Sequence, residues 1–347
     1  YFVNTTGGAI TINLPAGSAG AQIALADYAG TWDSNNATVS ANGSEKIQAS
    51  TDDAVFSRDR EALQIVYVDA TQGWIITSVA DQGGTQATYI VASGGTETTS
   101  GDYKIHTFTS SGTFTVSSVG NAAGGGAVSS YAVIAAGGGG GSGRGGGGGG
   151  GGFREGAVPG DPYYPARSPL AATSGLTLSA QAYPITVGAG GAGGTPNPSN
   201  NPGMNGNNGA ATVFSTVTSA GGGLGSTSEG CSPERTPGGP GGSGGGGSYN
   251  AVAGGSGNTP PVSPPQGQDG GVGVNGGNGY GGGGGGGSAG AGTAGRPTGN
   301  ADGGNGVATS ITGSPVNRTG GGGGAHSSGG GYPGTPTGTG GGGTGGG

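Results

Sequence analysis

The sequence predicts an all-β N-terminal part followed by a polyglycine-II helix bundle, a sandwich of such helices, with essentially no α-helix. Three observations support this fold class. Glycine is distributed unevenly, with 14 of the 97 glycines before residue 121 and 83 in the remaining 227 positions. The leading part has short β-branched runs separated by Gly, Asn, Asp and Ser, which is typical of strands joined by turns. No apolar pattern with a period of 3.6 residues appears in either part.

The glycine runs decide the architecture of the second part. They recur at residues 137–152, 188–194, 238–247, 270–287 and 320–324. One such run is normally a flexible linker, but polyproline-II-like helices direct their N–H and C=O groups outward and can bond to one another. The runs lack the Gly-X-Y period of collagen, so a collagen triple helix is not expected. Ordering a residue costs about 1–2 kcal/mol and a hydrogen bond returns about 0.5–1.5 kcal/mol, so only a cooperative lattice of several helices is expected to be stable.

We divide the chain into four parts. Residues 1–79 are expected to form a small β-sandwich-like domain, 80–102 a connector, 103–136 a β hairpin and strands that lead into the bundle, and 137–347 the bundle with its loops. Trp32 and Trp74 are expected to anchor the core of the first domain. The predicted strands are 9–14, 22–26, 37–40, 46–49, 63–69, 74–79 and 131–136, with a hairpin of 103–108 and 113–116 over residues 109–112.

Composition excludes several functions. Residues 1–120 contain 11 acidic and 4 basic residues, and the rest contains 6 of each, so no basic stripe indicates a nucleic-acid partner. Cys231 is the single cysteine, and His106 and His326 lie far apart. We therefore expect no disulfide, metal or cofactor, and a surface or hydrogen-bonded role for His106. The sequence contains no run of 18 apolar residues, so membrane insertion is not predicted. A chain that starts on Tyr and stops inside a glycine run is expected to be a fragment.

Motifs for catalysis are weak. GxGxxG matches follow from glycine content alone, because no βαβ pattern surrounds them. The carboxylates of Asp52 with Asp53, and of Asp59 with Glu61, could suggest glycoside hydrolysis, but a solvated face is the simpler interpretation. No catalytic residue is predicted, and we expect a protein that is not an enzyme.

The first 79 residues resemble a small β-domain of marine bacteriophage tail-fibre proteins. The resemblance is carried by NLPAGSAG, ALADYAGTWDSNNATV, ANGSEKI and YVDATQGWIIT. Residues 103–347 resemble the glycine-rich domain of phage tail-tip and receptor-binding proteins, through an ordered series of motifs: HTFTSSGTFTV, YAVIAAGGGGGSGRGGGGGGGGFREG, AYPITVGAGGAGG, NNGAATVFSTVTSAGGGLG, GNTPPVSPPQGQDGG and GNGVATSITGSPVNRTGGGGG.

This resemblance implies a phage adhesin. In that class the polyglycine-II helices form a sandwich, and the loops that join them form the host-binding tip. The implied partners are a bacterial surface receptor, either protein or glycan, and other tail or fibre proteins. The implied location is the virion tail fibre, which is extracellular after assembly in the host cytoplasm. Either a homotrimer, as in fibre shafts, or a bundle folded from one chain fits the resemblance. A closing apolar strand expected after the last run is missing.

The segments between glycine runs supply the candidate receptor-binding residues. Stretches that match the family, such as 185–187, 213–214 and 260–265, are interpreted as scaffold. The candidates lie in the idiosyncratic stretches and are Tyr163, Tyr164, Arg167, Glu229, Arg235, Tyr249, Asn250, His326 and Tyr332. Binding is expected at the end of the bundle farthest from the β modules, with the first half of residues 153–187 favoured. Changing Tyr163 and Tyr164 together to Ala is expected to reduce adsorption without altering melting.

Two other functions stay open from sequence. A polysaccharide-degrading tail spike requires a carboxylate pair in a groove. A self-assembling glycine-rich extracellular filament would use exposed backbone edges to bond between chains.

Overall fold

The computed structural model describes residues 1–81, 88–121, 124–160, 163–195, 204–227, 236–276, 279–297 and 299–327. These residues contain no α-helix, so the prediction of an all-β chain with essentially no α-helix is confirmed. One short 3-10 turn spans Tyr164–Ala166. In the described part of the chain, no helix is long and apolar enough to cross a membrane. The chain forms two compact units, 1–89 with 120–126, and 90–119 with 127–347.

The first unit consists of two small sheets. Its strands are β1 (Phe2–Val3), β2 (Ile10–Asn13), β3 (Gln22–Asp27), β4 (Ala37–Ser40), β5 (Ala54–Phe56), β6 (Glu61–Asp69) and β7 (Gly73–Asp81). The sheet orders are β1-β3-β6-β7 and β2-β4-β5. Burial alternates along β6 because successive side chains point to opposite faces. Trp32 and Trp74 are fully buried, which confirms their predicted role as core anchors.

One predicted strand of this unit does not form. Residues 46–49 were expected to be extended, but Gln48 and Ala49 have positive φ values of 52° and 67° and form a turn. Ile47 makes only isolated bridges, to Ser50 and Trp74. Strand β5, which the sequence analysis missed, pairs with β4 instead. The alternation of polar and apolar residues at 46–49 reflects burial of Ile47 in the core and not strand pairing.

The second unit begins with a β region. Its strands are β8 (Val91–Ser93), β9 (Thr96–Ser100), β10 (Tyr103–Thr107), β11 (Gly112–Ser118), β12 (Val128–Ser129), β13 (Tyr131–Ile134), β14 (Phe153–Gly156), β15 (Ala171–Ala172), β16 (Leu176–Thr177), β17 (Ala182–Thr186), β18 (Thr212–Phe214) and β19 (Val217–Ser219). The main sheet has the order β19-β18-β17-β11-β8. Its core is Phe114, Val116, Leu178, Tyr183 and Ile185. Strands β8 and β9 lie within 80–102, which was expected to be a connector.

The predicted hairpin of 103–108 with 113–116 is wrong. Strand β10 pairs with β9, with Ser100 opposite Tyr103, while β11 pairs with β17 and β8. The β9–β10 loop is the two-residue pair Gly101-Asp102, and Gly101 has a positive φ of 57°. A two-residue loop with a positive φ matches the twist of a hairpin better than the four-residue loop 109–112.

The glycine-rich part forms a hydrogen-bonded lattice. Its lattice segments are 135–142, 145–153, 188–195, 204–211, 220–227, 238–242, 243–248, 252–258, 266–273, 282–289, 290–295, 301–306 and 319–325. Short strands are inserted between them: β20 (Val274–Gly276), β21 (Gly279–Gly281), β22 (Val307–Thr309), β23 (Val316–Arg318) and β24 (His326–Ser327).

Lattice bonds repeat every three residues. The N–H groups of Ala135, Gly138 and Gly141 donate to the carbonyls of Gly152, Gly149 and Gly146, and those of Ala136, Gly139 and Ser142 donate to Ala210, Asn207 and Met204. A β-strand alternates with a period of two, whereas three residues per turn is the repeat of polyproline II. The polyglycine-II conformation itself stays a prediction.

Segment 145–153 lies in the middle of the lattice and is wholly buried. It bonds to six neighbouring segments, through Gly138 N–H to Gly149 O (2.9 Å), Gly149 N–H to Gly223 O (2.8 Å), Gly246 N–H to Gly147 O (2.7 Å), Gly147 N–H to Gly283 O (3.0 Å), Gly322 N–H to Gly148 O (2.9 Å) and Phe153 N–H to Gln266 O (2.9 Å). A strand in a sheet bonds to only two neighbours. The lattice is therefore packed in two dimensions around this segment.

Side chains are excluded from the central segment by backbone on three sides. A Cβ at Gly146, Gly147 or Gly148 would lie within 3.0 Å of the carbonyl oxygen of Gly246, Gly322 or Gly138 respectively. Each of the three glycines faces a different neighbour, as a three-residue repeat requires. Only glycine permits the neighbouring backbones to approach this closely.

The lattice has two distinct ends. Segment 135–142 follows β13 and segment 145–153 leads into β14, and these two strands pair. We call this the sheet end, and the opposite end, marked by the turn at 142–145, the turn end. Backbone hydrogen bonds place further residues at the turn end. The Gly146 N–H donates to Ser226 O, the Ser226 N–H donates to Gly246 O, and the Ala325 N–H donates to Gly145 O.

Candidate binding surface

Three turns are tied together by backbone hydrogen bonds at the turn end. Gly143 and Arg144 have positive φ values of 40° and 29°, and Asn250 and Ala251 have values of 70° and 58°, which reverse the chain between antiparallel segments. The Tyr249 N–H donates to the Arg144 carbonyl (3.4 Å), and the Asn250 N–H donates to the Val274 carbonyl at the start of β20 (3.4 Å). The side chains of the three turns are held side by side.

Two tyrosines hold an arginine on this surface. The Arg144 guanidinium carbon lies 4.8 Å from the Tyr280 ring centroid and 5.5 Å from the Tyr249 ring centroid. The two rings meet edge to face, with centroids 5.2 Å apart and an interplanar angle of 72°. Cation–π contact and edge-to-face packing both limit side-chain motion. Tyr280 is still 39% exposed, so part of its ring is open to a ligand.

Two asparagine amides border the aromatic pair. Asn275 Nδ2 donates to Asn250 Oδ1 (2.7 Å), and both side chains are exposed. This bond uses one of the hydrogen-bonding positions of each amide, and an amide has several. We call Arg144, Tyr249, Asn250, Asn275 and Tyr280 the turn-end cluster.

The charge of the cluster comes from Arg144. In the described residues this exposed guanidinium makes no ion pair, whereas Arg296, also at the turn end, pairs with Asp302 at 2.7 Å. An exposed ion pair contributes little stability, but it does occupy the arginine. Arg144 therefore presents a positive charge that the described part of the chain does not neutralise.

Tyr163 lies at the sheet end and points inward. Its hydroxyl donates to Glu155 Oε1 and lies 3.1 Å from Thr309 Oγ1. Glu155 is 2% exposed and also accepts from the Thr309 hydroxyl (2.7 Å) and the Ser168 N–H (3.0 Å). A buried carboxylate is stable only when hydrogen-bonded. Tyr163 therefore fastens its loop to the scaffold, and on this contact its loss is expected to lower the melting temperature.

Tyr164 and Arg167 form a separate pair on the same loop. The Arg167 guanidinium carbon lies 3.7 Å from the Tyr164 ring centroid, and its Nη1 donates to the Tyr164 carbonyl (2.6 Å). Because 153–187 leaves and rejoins the β region, these side chains lie at the sheet end. The two expectations, binding at the far end and binding by this loop, are therefore incompatible.

The remaining candidates differ in position. His326 lies near the turn end, but it is 8% exposed and its Nε2 is 2.9 Å from the Pro297 carbonyl, which indicates a structural bond. Glu229, Arg235 and Tyr332 lie outside the described residues. His106 Nδ1 is 2.9 Å from the Gly94 carbonyl, as expected for a hydrogen-bonded histidine.

The sequence predicts Tyr249 and Asn250 as site residues but does not indicate Arg144, Asn275 or Tyr280. The sequence does contain a partial indication of Arg144, because it is the only charged residue inside the first glycine run. The three turns are remote in sequence, and only the lattice register brings them together.

No protein-family model matches this chain, and a search of curated proteins finds no match.

Proposed function

We propose that this protein is a structural and host-recognition component of a bacteriophage tail fibre, an adhesin that binds a bacterial surface molecule. One observation carries the recognition role. Several turns that carry aromatic, charged and amide side chains converge at one end of a lattice whose interior has almost no side chains, so these turns, and not the lattice, can discriminate between ligands. The phage assignment depends on the motif resemblance described above.

The turn-end cluster is the proposed binding site. Tyrosine provides a large contact area while only two side-chain torsions are frozen, and asparagine adds adaptable hydrogen bonds. The lattice below the cluster supports the turns through many backbone bonds, which lowers the entropy lost on binding. Several fibres on one virion would multiply weak contacts.

Binding to cells tests this proposal. The fluorescently labelled full-length chain is incubated with a panel of bacterial strains, and cell-associated fluorescence is measured. We expect saturable binding to some strains and its loss when Tyr249 and Tyr280 are both changed to Ala. Tyr28→Ala is the matched control, because Tyr28 is a 65% exposed tyrosine of the first unit. Binding that survives the double change would contradict the proposed site, and absence of binding to every strain would contradict the adhesin role.

A further inference from the structure

We infer that the turn-end cluster binds a saccharide that carries a carboxylate, such as a uronic acid unit of a bacterial surface polysaccharide. This inference rests on the proposed function and specifies the chemistry of its ligand. In this arrangement the carboxylate contacts the guanidinium of Arg144, the sugar ring packs against Tyr280, and the sugar hydroxyls bond to the amides of Asn250 and Asn275.

The anionic group follows from Arg144. Its guanidinium is exposed, is held in place by Tyr249 and Tyr280, and has no ion-pair partner among the described residues. Ring contact engages the flat face of a guanidinium, whereas its N–H groups point outward in the plane. Those N–H groups match the two oxygens of a carboxylate, and such charge-assisted pairs are among the stronger hydrogen bonds in proteins.

A carboxylate fits better than a phosphate. A phosphate monoester carries close to two negative charges at neutral pH and is commonly met by several cationic groups or backbone N–H groups. Arg144 and Arg296 are the cationic side chains in the described turns, and Arg296 is paired with Asp302. The cluster thus offers one net positive charge, which a single carboxylate balances.

A sugar fits better than an acidic protein segment. The described turns at this end, 142–145, 248–251, 274–276, 279–281, 296–297, 299–300 and 326–327, contain no Leu, Ile, Phe or Trp. Protein hot spots are likewise rich in Tyr and Arg, but they lie in well-packed, fully desolvated pockets, whereas Arg144, Asn250 and Asn275 lie exposed on turns. Here the cluster combines two tyrosine rings with two amides, and this arrangement suits a ring that has both C–H faces and hydroxyl groups.

Titration calorimetry on the full-length chain tests the inference. The probes are a set of uronic acid polymers (polygalacturonate, alginate and hyaluronate), methyl-esterified polygalacturonate, polyglutamate and phosphorylated starch, a phosphate polymer that carries phosphate monoesters. We expect one or more uronic acid polymers to bind at least about tenfold more tightly than the ester, the polypeptide and the phosphate polymer, because only they combine ring and carboxylate. Affinity should fall as salt rises.

Matched variants assign the effect to the cluster. Arg144→Gln is expected to weaken binding of the acidic polymer by roughly tenfold to hundredfold, and Tyr280→Ala to weaken binding of acid and ester alike. Arg58→Gln removes the same charge from an exposed position of the first unit and is expected to change nothing. Circular dichroism of each variant confirms that the fold is retained.

Four results would overturn the inference. These are no binding to any uronic acid polymer, equal affinity for acid and ester, preference for polyglutamate or the phosphate polymer, and full binding by a folded Arg144→Gln variant. Failure here is distinguishable from failure of the proposed function. If Arg144→Gln binds cells normally while the double tyrosine variant does not, the adhesin role stands and the acidic ligand is excluded.

Discussion

Tyr163 and Tyr164 are adjacent in sequence but have different environments. The Tyr163 hydroxyl donates to the buried Glu155 carboxylate, whereas the Tyr164 ring stacks with Arg167. A hydrogen bond to a charged group contributes about 1.5–3 kcal/mol, and a buried acceptor that loses its donor is costly. Sequence alone gave the two tyrosines the same role because it does not reveal which side of a loop faces the scaffold.

Substitution by Phe is expected to change the free energy of unfolding at Tyr163 but hardly at Tyr164. Tyr163→Phe is expected to lower the free energy of unfolding by about 1–3 kcal/mol, since the carboxylate loses one of its donors. Tyr164→Phe keeps the ring that contacts Arg167, and we expect a change within about 0.5 kcal/mol. Denaturant unfolding of both variants measures this. Equal stability of the two variants would show that the Glu155 contact contributes nothing.

The types of residue in the candidate site could be predicted from the sequence, but not which particular residues come together there. Tyr249 and Asn250 stand out as an aromatic and a polar residue next to a glycine run, and they lie in the turn-end cluster. Arg144 and Tyr280 join them because the lattice register aligns three turns, and register is a property of the whole lattice. By contrast, Tyr163 also stood out, but its role is determined by the buried Glu155 carboxylate, and the sequence does not show which side chain of the loop bonds to it.

At the scale of elements, the central segment 145–153 decides the stability of the lattice. Each glycine from Gly145 to Gly151 faces backbone atoms of a neighbouring stretch of chain, so even one methyl group has no room there. The outer segment 188–195 differs, because a Cβ at the exposed Gly190 would meet nothing within 4 Å. Glycine is therefore required by packing at the first site and not at the second.

Alanine substitutions at these two sites should have effects of opposite sign. Gly148→Ala is expected to destabilise the lattice by about 1–3 kcal/mol or more, because overpacking displaces the neighbouring backbone and breaks its hydrogen bonds. Gly190→Ala should stabilise it by up to about 1 kcal/mol through the reduced entropy of the unfolded chain. Thermal unfolding followed by calorimetry compares them. Tolerance of Gly148→Ala would mean that the central segment is loosely packed.

Buried serines mark the ends of lattice segments. Ser142, Ser226, Ser248 and Ser288 are each at most 3% exposed, and each lies where a segment reaches a turn or strand. The hydroxyls of Ser142, Ser226 and Ser288 bond to backbone groups, as when Ser226 Oγ accepts from the Ser248 N–H (2.6 Å), whereas the Ser248 hydroxyl has no partner among the described residues. Backbone groups at the end of a segment lack a backbone partner in the lattice. A side chain supplies the hydrogen bond instead, much as it does at a helix terminus.

Removal of one such hydroxyl tests this role. Ser226→Gly is expected to cost about 0.5–1.5 kcal/mol, since the Ser248 N–H loses its acceptor inside the lattice. Ser256→Gly is the control, because Ser256 is exposed and the substitution adds the same freedom to the unfolded chain. Urea unfolding of the pair isolates the contribution of the hydroxyl. An equal loss in both variants would attribute the effect to chain entropy alone.

Most strands of the first unit were predictable because burial alternates along them, as in β6. Two kinds of error remain. Residues 46–49 alternate between polar and apolar yet form a turn, since Gln48 and Ala49 adopt positive φ. Strand β10 was paired with the wrong partner, because the two-residue loop Gly101-Asp102 joins it to β9 in a hairpin. Both errors arise where local backbone conformation outweighs side-chain pattern.

At the scale of the whole molecule, the two units depend on different forces. The first unit is held by a hydrophobic core around Trp32 and Trp74. The glycine-rich unit gains its order mainly from backbone hydrogen bonds between segments distant in sequence, and these form cooperatively because a single ordered segment is unstable. A probe that reports on only one unit can therefore separate their unfolding.

Tryptophan fluorescence is such a probe. Both tryptophans of the chain lie in the first unit and are fully buried, whereas calorimetry detects both units. We expect Gly148→Ala to lower the calorimetric transition of the glycine-rich unit and to leave the fluorescence transition in place. Leu63→Ala, at a 3% exposed core position of the first unit, should do the reverse, with a cost of about 2–5 kcal/mol. If either substitution shifts both transitions equally, the chain unfolds as one cooperative body, and the division into two energetically separate units is wrong.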